Sequence, residues 1–284
     1  MGTPDLERLK AAIRSSYSVP VDSLELVSTT GSADSYVGRT DPWQFGLTAW
    51  PDPAAAGPHV PTLRLEQWLD GQGLSFRVPV PLSTVDGGVV ATCDGVPFIV
   101  FELVYGRSMA PWPAWTPEGR DDQSRTLAAI HALTPPDDLR PPPASFDVPD
   151  PVVPELRGLV DRAREAAAVA AAIDCAPVLC NNAFFGDNIV VKRNRVAGVL
   201  DWEHAVLGPP ELDLQLAVLG DISRFLDVYA EAGGTRALHL ELFERALLRR
   251  LVDEANERGP VDERWLRERS EVLDEQLDQL RSAL

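Results

Sequence analysis

The chain has 284 residues, of which 45% are hydrophobic and 24% charged, and its formal net charge is −17. This length and composition are typical of a globular protein with one large core or two lobes. The excess of acidic side chains argues against nucleic acid and anionic membranes as partners, because both repel a negative surface, and it favours cationic small molecules.

The cysteines and the N-terminal residues indicate the cellular compartment. Three cysteines stand far apart in apolar stretches, at Cys93, Cys175 and Cys180, and this pattern predicts buried free thiols rather than a disulfide framework or a zinc site. The N-terminal segment lacks the apolar core of a signal peptide, and the sequence has no apolar run of about 18 residues. We therefore expect a cytoplasmic protein without membrane contact, whose oligomeric state the sequence leaves open.

The first part of the chain reads as a sheet with few helices. Apolar residues at helical spacing predict a helix over 4–17, and alternating residues around Gly and Pro turns predict short strands. We expect strands over 24–39 (as a hairpin), 43–50 and 78–106, a turn over 51–58, and a helix over 61–73. These elements predict a small antiparallel β lobe over residues 1–104.

The second part, residues 105–284, reads as a larger helical lobe. Helical periodicity and capping residues predict helices over 119–133, 155–173, 211–232, 237–259 and 262–284. The proline-rich stretch 134–154 is expected to be a connecting loop that forms neither a helix nor a strand. Two short strands are expected over 188–192 and 196–202. The fold class is therefore α+β, with two lobes and a ligand pocket at their junction.

The two short strands deliver oxygen donors. Asn188 stands directly before the first strand, and Asp201 ends the second. Side chains on adjacent hairpin strands can hold one cation from two sides, and carboxylate and amide oxygens suit Mg²⁺. The pair predicts a magnesium site of the kind that phosphoryl transfer requires.

The segment "VLCNNAFFGDNIVV", followed by "VAGVLDWEHAVLGPPELDL", resembles the catalytic segment of the aminoglycoside phosphotransferase and choline kinase-like enzymes, which share the protein-kinase-like fold. That motif is His-x-Asp-x-x-x-x-Asn, then a strand pair, Asp-Trp/Phe-Glu and Gly-x-Pro-x-x-Asp. The resemblance implies two lobes, a nucleotide such as ATP or GTP with Mg²⁺, and a small-molecule acceptor, cationic or hydroxylated.

The resemblance also assigns positions in this chain. Five carry the motif itself: Asn181 at the histidine, Ala183 at the catalytic aspartate, Asn188 and Asp201 at the metal ligands, and Asp213 at the aspartate that braces the loop. "FELVYG" resembles the adenine-binding hinge, which places backbone contacts at Glu102, Leu103 and Val104. Acidic residues after the metal strand lie where the family binds polycationic acceptors, so the predicted substrate residues are Glu203, His204 and Asp213.

Two positions depart from the family pattern. Ala183 replaces the aspartate that orients the acceptor hydroxyl and takes its proton, and a methyl group does neither. Thr48 in "WQFGLTAW" stands where a lysine should reach the nucleotide phosphates, which leaves Glu66 without its expected partner. Arg39 and Arg64 are candidate replacements for that lysine, although neither position matches.

Three functions follow from these departures. In the first, the protein binds a small metabolite in the interlobe cleft, and standard phosphoryl transfer is lost or repurposed. In the second, it is an ATP- or GTP- and Mg²⁺-dependent kinase of an antibiotic or metabolite, in which Ala183 is an inactivating replacement. In the third, it is a non-enzymatic binding or regulatory pseudokinase.

Overall fold

The computed structural model describes residues 5–30, 33–41, 43–108, 116–148, 150–151, 154–215, 218, 220–258 and 261–284. Within these ranges, ten strands are present, and they are β1 (Ser23–Thr30), β2 (Ala33–Thr40), β3 (Trp43–Ala49), β4 (Ala91–Cys93), β5 (Val96–Glu102), β6 (Arg107–Ser108), β7 (Val178–Cys180), β8 (Ile189–Lys192), β9 (Arg195–Val199) and β10 (Val206–Gly208).

The same ranges contain nine α-helices, two of which have only four residues. They are α1 (Leu6–Tyr17), α2 (Pro53–Ala56), α3 (Val60–Asp70), α4 (Pro117–His131), α5 (Arg157–Ala170), α6 (Glu211–Leu214), α7 (Ile222–Glu231), α8 (Leu240–Arg258) and α9 (Glu263–Ala283). None of the described helices is long and apolar enough to cross a membrane.

The chain divides into two compact units. The sheet unit comprises Met1–Pro111, Pro135–Arg140 and Gly186–Glu203, and the helical unit comprises Trp112–Thr134, Pro141–Phe185 and His204–Leu284. The expected combination of an antiparallel sheet and a helical region is confirmed. The lobe boundary between residues 104 and 105 stays a prediction.

The sheet unit is built on a five-stranded antiparallel sheet in the order β1-β2-β3-β5-β4. Leu9, Ile13 and Tyr17 recur at helical spacing, so α1 buries one face against the sheet. Successive side chains of β3 point to opposite faces of the sheet, and Phe45 and Leu47 lie in the core between the sheet and α1. A second sheet, β6-β8-β9, carries the hairpin that was predicted from the two short strands.

The other face of the main sheet has a separate apolar cluster. Trp50, Ala56, Leu63 and Ile99 form its centre, and Leu63 belongs to α3. Thr48 pairs with Ile99 across the sheet and alternates with the residues that face α1. Thr48 and α3 therefore lie on the same side of the sheet.

The helical unit is held by packing between long amphipathic helices. Helix α5 packs on α8, α4 packs on α7, and α8 packs on α9. Arg224 of α7 donates to both carboxylate oxygens of Asp121 on α4, at 2.8 and 2.7 Å. This bidentate ion pair fixes the position of α7 relative to α4.

Three expectations for local structure were wrong. Much of 78–106 is not strand, because Pro79 and Pro81 have no N–H for a ladder, and only β4 and β5 form there. The expected turn over 51–58 contains α2, which Asp52 caps by accepting the Ala54 N–H at 3.1 Å. The expected helix 211–232 is split into α6 and α7, and α7 begins after its own N-cap, Asp221.

Short strands were also missed. Strand β7 pairs with β10, and β6 pairs with β8. The missed strands β6, β7 and β10 have two or three residues each, which is too short for an alternating pattern to reveal them.

Candidate functional site

The predicted metal ligands are adjacent in the sheet unit. Asn188 precedes β8 and Asp201 follows β9, and the Ile189–Val199 pairing of the hairpin brings the two ends together. The Asn188 amide nitrogen donates to the Asp201 carboxylate at 3.0 Å. A further hydrogen bond, from the Leu200 N–H to the Asn188 carbonyl at 2.8 Å, fixes the loop between them.

This pair fits a hard divalent cation. Asp201 offers carboxylate oxygens, and a half-turn of the Asn188 amide would replace its nitrogen with its oxygen on the same side. The Asp201 backbone has a φ of 60°, which is uncommon for a residue with a side chain and is typical of constrained functional loops.

Glu66 is a buried carboxylate of the sheet unit. It lies on α3 with 7% of its surface exposed, and no hydrogen bond or ion pair engages it among the residues that the structure describes. Burial raises its pKa well above the usual range, and the negative charges of Asp201 and Glu203 raise it further.

No cation replaces the missing lysine next to Glu66 in the described part of the chain. Thr48, the predicted counterpart of that lysine, is half-buried. Arg64 instead lies 3.7 Å from Asp138, and Arg39 is exposed on β2. The roles of Thr48 and Glu66 at a nucleotide site stay predictions.

The predicted hinge residues lie at the end of β5, which Glu102 terminates and Leu103 and Val104 follow. The Glu102 carboxylate accepts from Arg77 at 3.0 Å, and its N–H donates to the Val80 carbonyl at 2.9 Å. Val104 packs directly on Gly198 of β9, where a Cβ would lie 2.2 Å from the Val104 Cγ1 atom. Glycine at position 198 is therefore required for the hinge to approach the hairpin so closely. The role of Glu102, Leu103 and Val104 in binding a base stays a prediction.

His59 is a residue of this region that the sequence did not single out. Its Nδ1 atom lies 2.7 Å from the Glu203 carboxylate, and its ring stacks on Trp50 at 5.2 Å between centroids. The two residues are 144 positions apart, so no local pattern could have revealed the contact. His204, predicted as a substrate residue with Glu203, ends the 3-10 turn Trp202–His204 and is exposed.

In the helical unit, Asp213 braces the catalytic-type loop as the resemblance implies. It is 1% exposed, and its two carboxylate oxygens accept the backbone N–H groups of Asn181 at 2.9 Å and Asn182 at 2.7 Å. The His131 Nε2 atom lies 3.2 Å from the same carboxylate, and its Nδ1 atom lies 2.8 Å from the Tyr229 hydroxyl. A substrate contact for Asp213 stays a prediction.

The same loop carries Ala183, the residue predicted to stand at the position of the catalytic aspartate. Ala183 is 2% exposed, and its N–H donates to the Asn181 side-chain oxygen at 3.3 Å. Asn181 is fully buried, and its amide does not titrate near neutral pH. The loop thus keeps its supports but lacks a carboxylate at its centre.

Two further acidic residues after the second hairpin strand, Asp221 and Asp227, have structural partners. Asp221 caps α7, accepting the Arg224 N–H at 3.0 Å, and Asp227 lies 3.6 Å from Arg236. Gly31 and Ser32, in the predicted turn between β1 and β2, and the tryptophans Trp112 and Trp115 lie outside the described residues.

Comparison with known proteins bears on the whole arrangement. A family model described as "Phosphotransferase enzyme family" matches residues 27–251. The search of curated proteins found no match.

Solved structures show the same fold at low identity. A spectinomycin phosphotransferase, APH(9)-Ia, in complex with ADP and spectinomycin is 13% identical, with a TM-score of 0.74 and 99% of each chain covered. The macrolide 2′-phosphotransferase MphH from Brachybacterium faecium is 17% identical, with a TM-score of 0.67 and 97% of each chain covered. An ADP-bound aminoglycoside phosphotransferase, APH(2″)-Ib, is 14% identical, with a TM-score of 0.61, 97% of this chain covered and 99% of that chain.

Proposed function

Since the chain belongs to the phosphotransferase enzyme family, we propose that it binds a small metabolite and no longer carries out standard phosphoryl transfer, its site being inactive or repurposed. The observation that carries the proposal is the catalytic-type loop. Asp213 holds the Asn181 and Asn182 N–H groups, yet buried Ala183 stands at the position of the base.

The acceptor side lacks a group that the reaction needs. An acceptor hydroxyl must be oriented, and its proton must be taken as the new bond to phosphorus forms. The Ala183 methyl group neither accepts a hydrogen bond nor a proton, and the neighbouring Asn181 and Asn182 amides are not bases at neutral pH. Transfer to a hydroxyl would therefore be slowed greatly even with a bound donor.

The donor side is weakened as well. Thr48 offers a neutral hydroxyl where a lysine ammonium would attract phosphate oxygens. Asn188 and Asp201 would hold Mg²⁺ when it is bound, and the ion would supply charge neutralisation to phosphate oxygens. We propose that ATP or GTP, if bound, is held mainly through this cation and the backbone of Glu102–Val104.

The ligand class follows from charge and from the related structures. The net charge of −17 favours a cationic molecule, and the solved relatives are named for spectinomycin, macrolides and aminoglycosides. We propose a cationic or hydroxylated small molecule as the ligand. The free thiols of Cys93, Cys175 and Cys180 support a reducing cytoplasm as its compartment.

The test is phosphoryl transfer by the wild-type protein and by Ala183→Asp. Each is incubated with ATP or GTP, Mg²⁺ and a panel of aminoglycosides and macrolides, and phosphorylated product is measured by mass spectrometry. We expect no product from either protein, because Ala183→Asp restores the base but not the cation at Thr48. Asn182→Asp is the matched control, since it adds the same charge at the exposed neighbouring position.

Two results would contradict the proposal. Product from the wild-type protein would establish a working kinase, and product from Ala183→Asp alone would show that position 183 is the single defect in an otherwise competent site. A thermal shift with small cationic ligands but not with nucleotide would support repurposing. If no small ligand shifts the melting temperature and a protein partner binds, the regulatory alternative replaces ours.

A further inference from the structure

The helical unit contains a buried group of nitrogen, sulfur and oxygen donors. His131 ends α4, Cys180 ends β7, and Asp213 belongs to α6. One ring nitrogen of His131, the Cys180 Sγ atom and one carboxylate oxygen of Asp213 all lie within 4.8 Å of one another. All three side chains are buried and belong to one compact unit, whereas Asn188 and Asp201 belong to the sheet unit.

The spacing of these donors suits a tetrahedral transition-metal ion. The His131 Nε2 atom and an Asp213 carboxylate oxygen are 3.2 Å apart. Two ligand atoms at about 2.0–2.1 Å from a tetrahedral Zn²⁺ are about 3.3 Å apart, so an ion fits between this pair without separating it. The Cys180 Sγ atom makes hydrogen bonds to three carbonyl oxygens at 3.4–3.8 Å. Thiol hydrogen bonds are weak, and a metal–thiolate bond would replace them at little cost.

Hydrogen bonds around the group hold two of the donors in place. The His131 Nδ1 atom lies 2.8 Å from the Tyr229 hydroxyl. With the ring proton on Nδ1, the imidazole donates to that hydroxyl, and Nε2 presents its lone pair to the Asp213 side. The Asp213 carboxylate is itself fixed by the backbone N–H groups of Asn181 and Asn182, at 2.9 and 2.7 Å. Outer hydrogen bonds of this kind orient the ligands of metal sites.

The charge of this core also favours a cation. Asp213 and Glu211 both lie on α6 with 1% of their surface exposed, and neither has an ion pair with Lys or Arg within the described ranges. The Glu211 Oε2 atom is buried and has no hydrogen-bond partner there. Buried carboxylates without a counter-charge are strongly unfavourable, and a divalent ion bound to Asp213 would offset that cost.

We propose that His131, Cys180 and Asp213 bind a Zn²⁺ ion, which joins the ends of α4 and β7 to α6. The combination of imidazole, thiolate and carboxylate selects Zn²⁺ over Mg²⁺, whose sites consist of oxygen ligands. Binding releases the thiol proton of Cys180 to solvent, because the thiolate is the ligand. The spacing of the cysteines predicted no zinc site, since the three ligands come from segments far apart in the chain.

The first test is the metal content of the full-length protein, purified without a polyhistidine tag and without added metal. We expect about one zinc ion per chain by inductively coupled plasma mass spectrometry. The protein is then unfolded in urea with EDTA and a reductant, and it is refolded with Co²⁺ or Zn²⁺ after EDTA is removed, because a buried site fills as the chain folds. A cobalt–thiolate charge-transfer band in the near ultraviolet is expected with Co²⁺ and not with Zn²⁺. Oxygen ligands such as those of Asn188 and Asp201 give no such band.

Serine substitutions at the three cysteines identify the ligand. Cys180→Ser should lose the cobalt–thiolate band and bind zinc about tenfold more weakly or worse, since a metal ligand is removed. Cys93→Ser and Cys175→Ser are the matched controls, because each removes another free thiol and should keep the band. Circular dichroism of each refolded variant verifies that it has regained its helices before the band is compared.

Thermal unfolding of the wild-type protein provides a measure that depends on no substitution. After removal of metal with EDTA, Zn²⁺ should raise the melting temperature more than the same concentration of Mg²⁺ does. The proposal is overturned if neither the purified nor the refolded wild-type protein holds zinc, if the band is absent with Co²⁺ or survives in Cys180→Ser, or if Mg²⁺ stabilises as much as Zn²⁺. Because neither nucleotide nor phosphoryl transfer is involved, these outcomes are independent of the function proposed above.

Discussion

Glu211 of α6 is a buried carboxylate whose hydrogen bonding is incomplete. One oxygen accepts the His239 N–H at 2.8 Å, whereas Oε2 is buried and has no partner among the described residues. Burial raises its pKa above the usual range, and the His239 N–H lowers it only in part. Residues of this kind make stability depend on pH, because the native and unfolded chains hold the proton differently.

We predict that Glu211→Gln increases stability relative to wild type as the pH rises. A raised native pKa means that the native protein holds this proton more tightly than the unfolded chain. The contribution of Glu211 to the stability of the native state is therefore fully present at pH values below the pKa of an ordinary glutamate. It is lost as the pH rises through the raised pKa of the native state. Glutamine stays neutral, so the difference in melting temperature between variant and wild type should widen from about pH 5 to about pH 8.

Glu231→Gln is the control for this experiment, since Glu231 is exposed at the end of α7. Its melting temperature should follow that of the wild-type protein at every pH. A difference between Glu211→Gln and wild type that stays constant over the range would show that Glu211 does not titrate as its burial implies.

At the scale of elements, three helices of the helical unit, α4, α7 and α9, begin at side-chain caps. Thr116 caps α4, Asp221 caps α7 and Asp262 caps α9, each by accepting an N–H from the first turn. Asp221 also sets where α7 begins after α6, and this break was not expected from the helical periodicity. Asp221, one of the acidic residues that follow the predicted metal strand, thus has a structural role as a helix cap.

We predict that Asp221→Ala lowers the free energy of unfolding by about 1 kcal/mol, the usual effect of removing an N-cap. Asp227→Ala, on the exposed face of the same helix, should change it by less than about 0.5 kcal/mol, because a surface ion pair with Arg236 contributes little. Urea denaturation followed by circular dichroism measures both. Equal effects of the two substitutions would mean that Asp221 does not act as a cap.

At the scale of the whole molecule, the main feature is the excess of acidic over basic side chains. Asp and Glu number 43 against 26 Lys and Arg, so like charges repel one another over the surface. Much of the basic complement is engaged locally, as in the Arg162 pairs with Glu244 and Asp274 at 3.3 and 2.8 Å. The remaining acidic surface stays uncompensated.

We predict that salt stabilises this protein. Raising the ionic strength from about 0.02 M to about 0.3 M should raise the melting temperature by a few degrees, because screening weakens the repulsion between acidic side chains. NaCl and choline chloride should act alike if screening is the cause, and EDTA should be present so that divalent ions do not contribute. A melting temperature that falls with salt would show that attractive ion pairs outweigh the repulsion.

The sequence predicted helices well where the periodic pattern of apolar residues extends over several turns. Helices α1, α4, α5, α8 and α9 repeat apolar residues over three or more turns, and the hairpin between Asn188 and Asp201 is marked by its polar ends. It failed at Pro79–Pro81 and at β7 and β10, because prolines and pairing between distant segments decide those regions.

By itself, the sequence predicted the α+β class and the neighbouring positions of Asn188 and Asp201, and it shows that residue 183 is an alanine. Each of these depends on residue identity or on periodicity over neighbouring residues. The tertiary structure alone decided that Glu66 is buried without a counter-charge, that His59 meets Glu203, and that Glu211 keeps an unpartnered oxygen. Burial and ion pairing depend on segments far apart in the chain, and the free energies of those contacts exist only once the fold has formed.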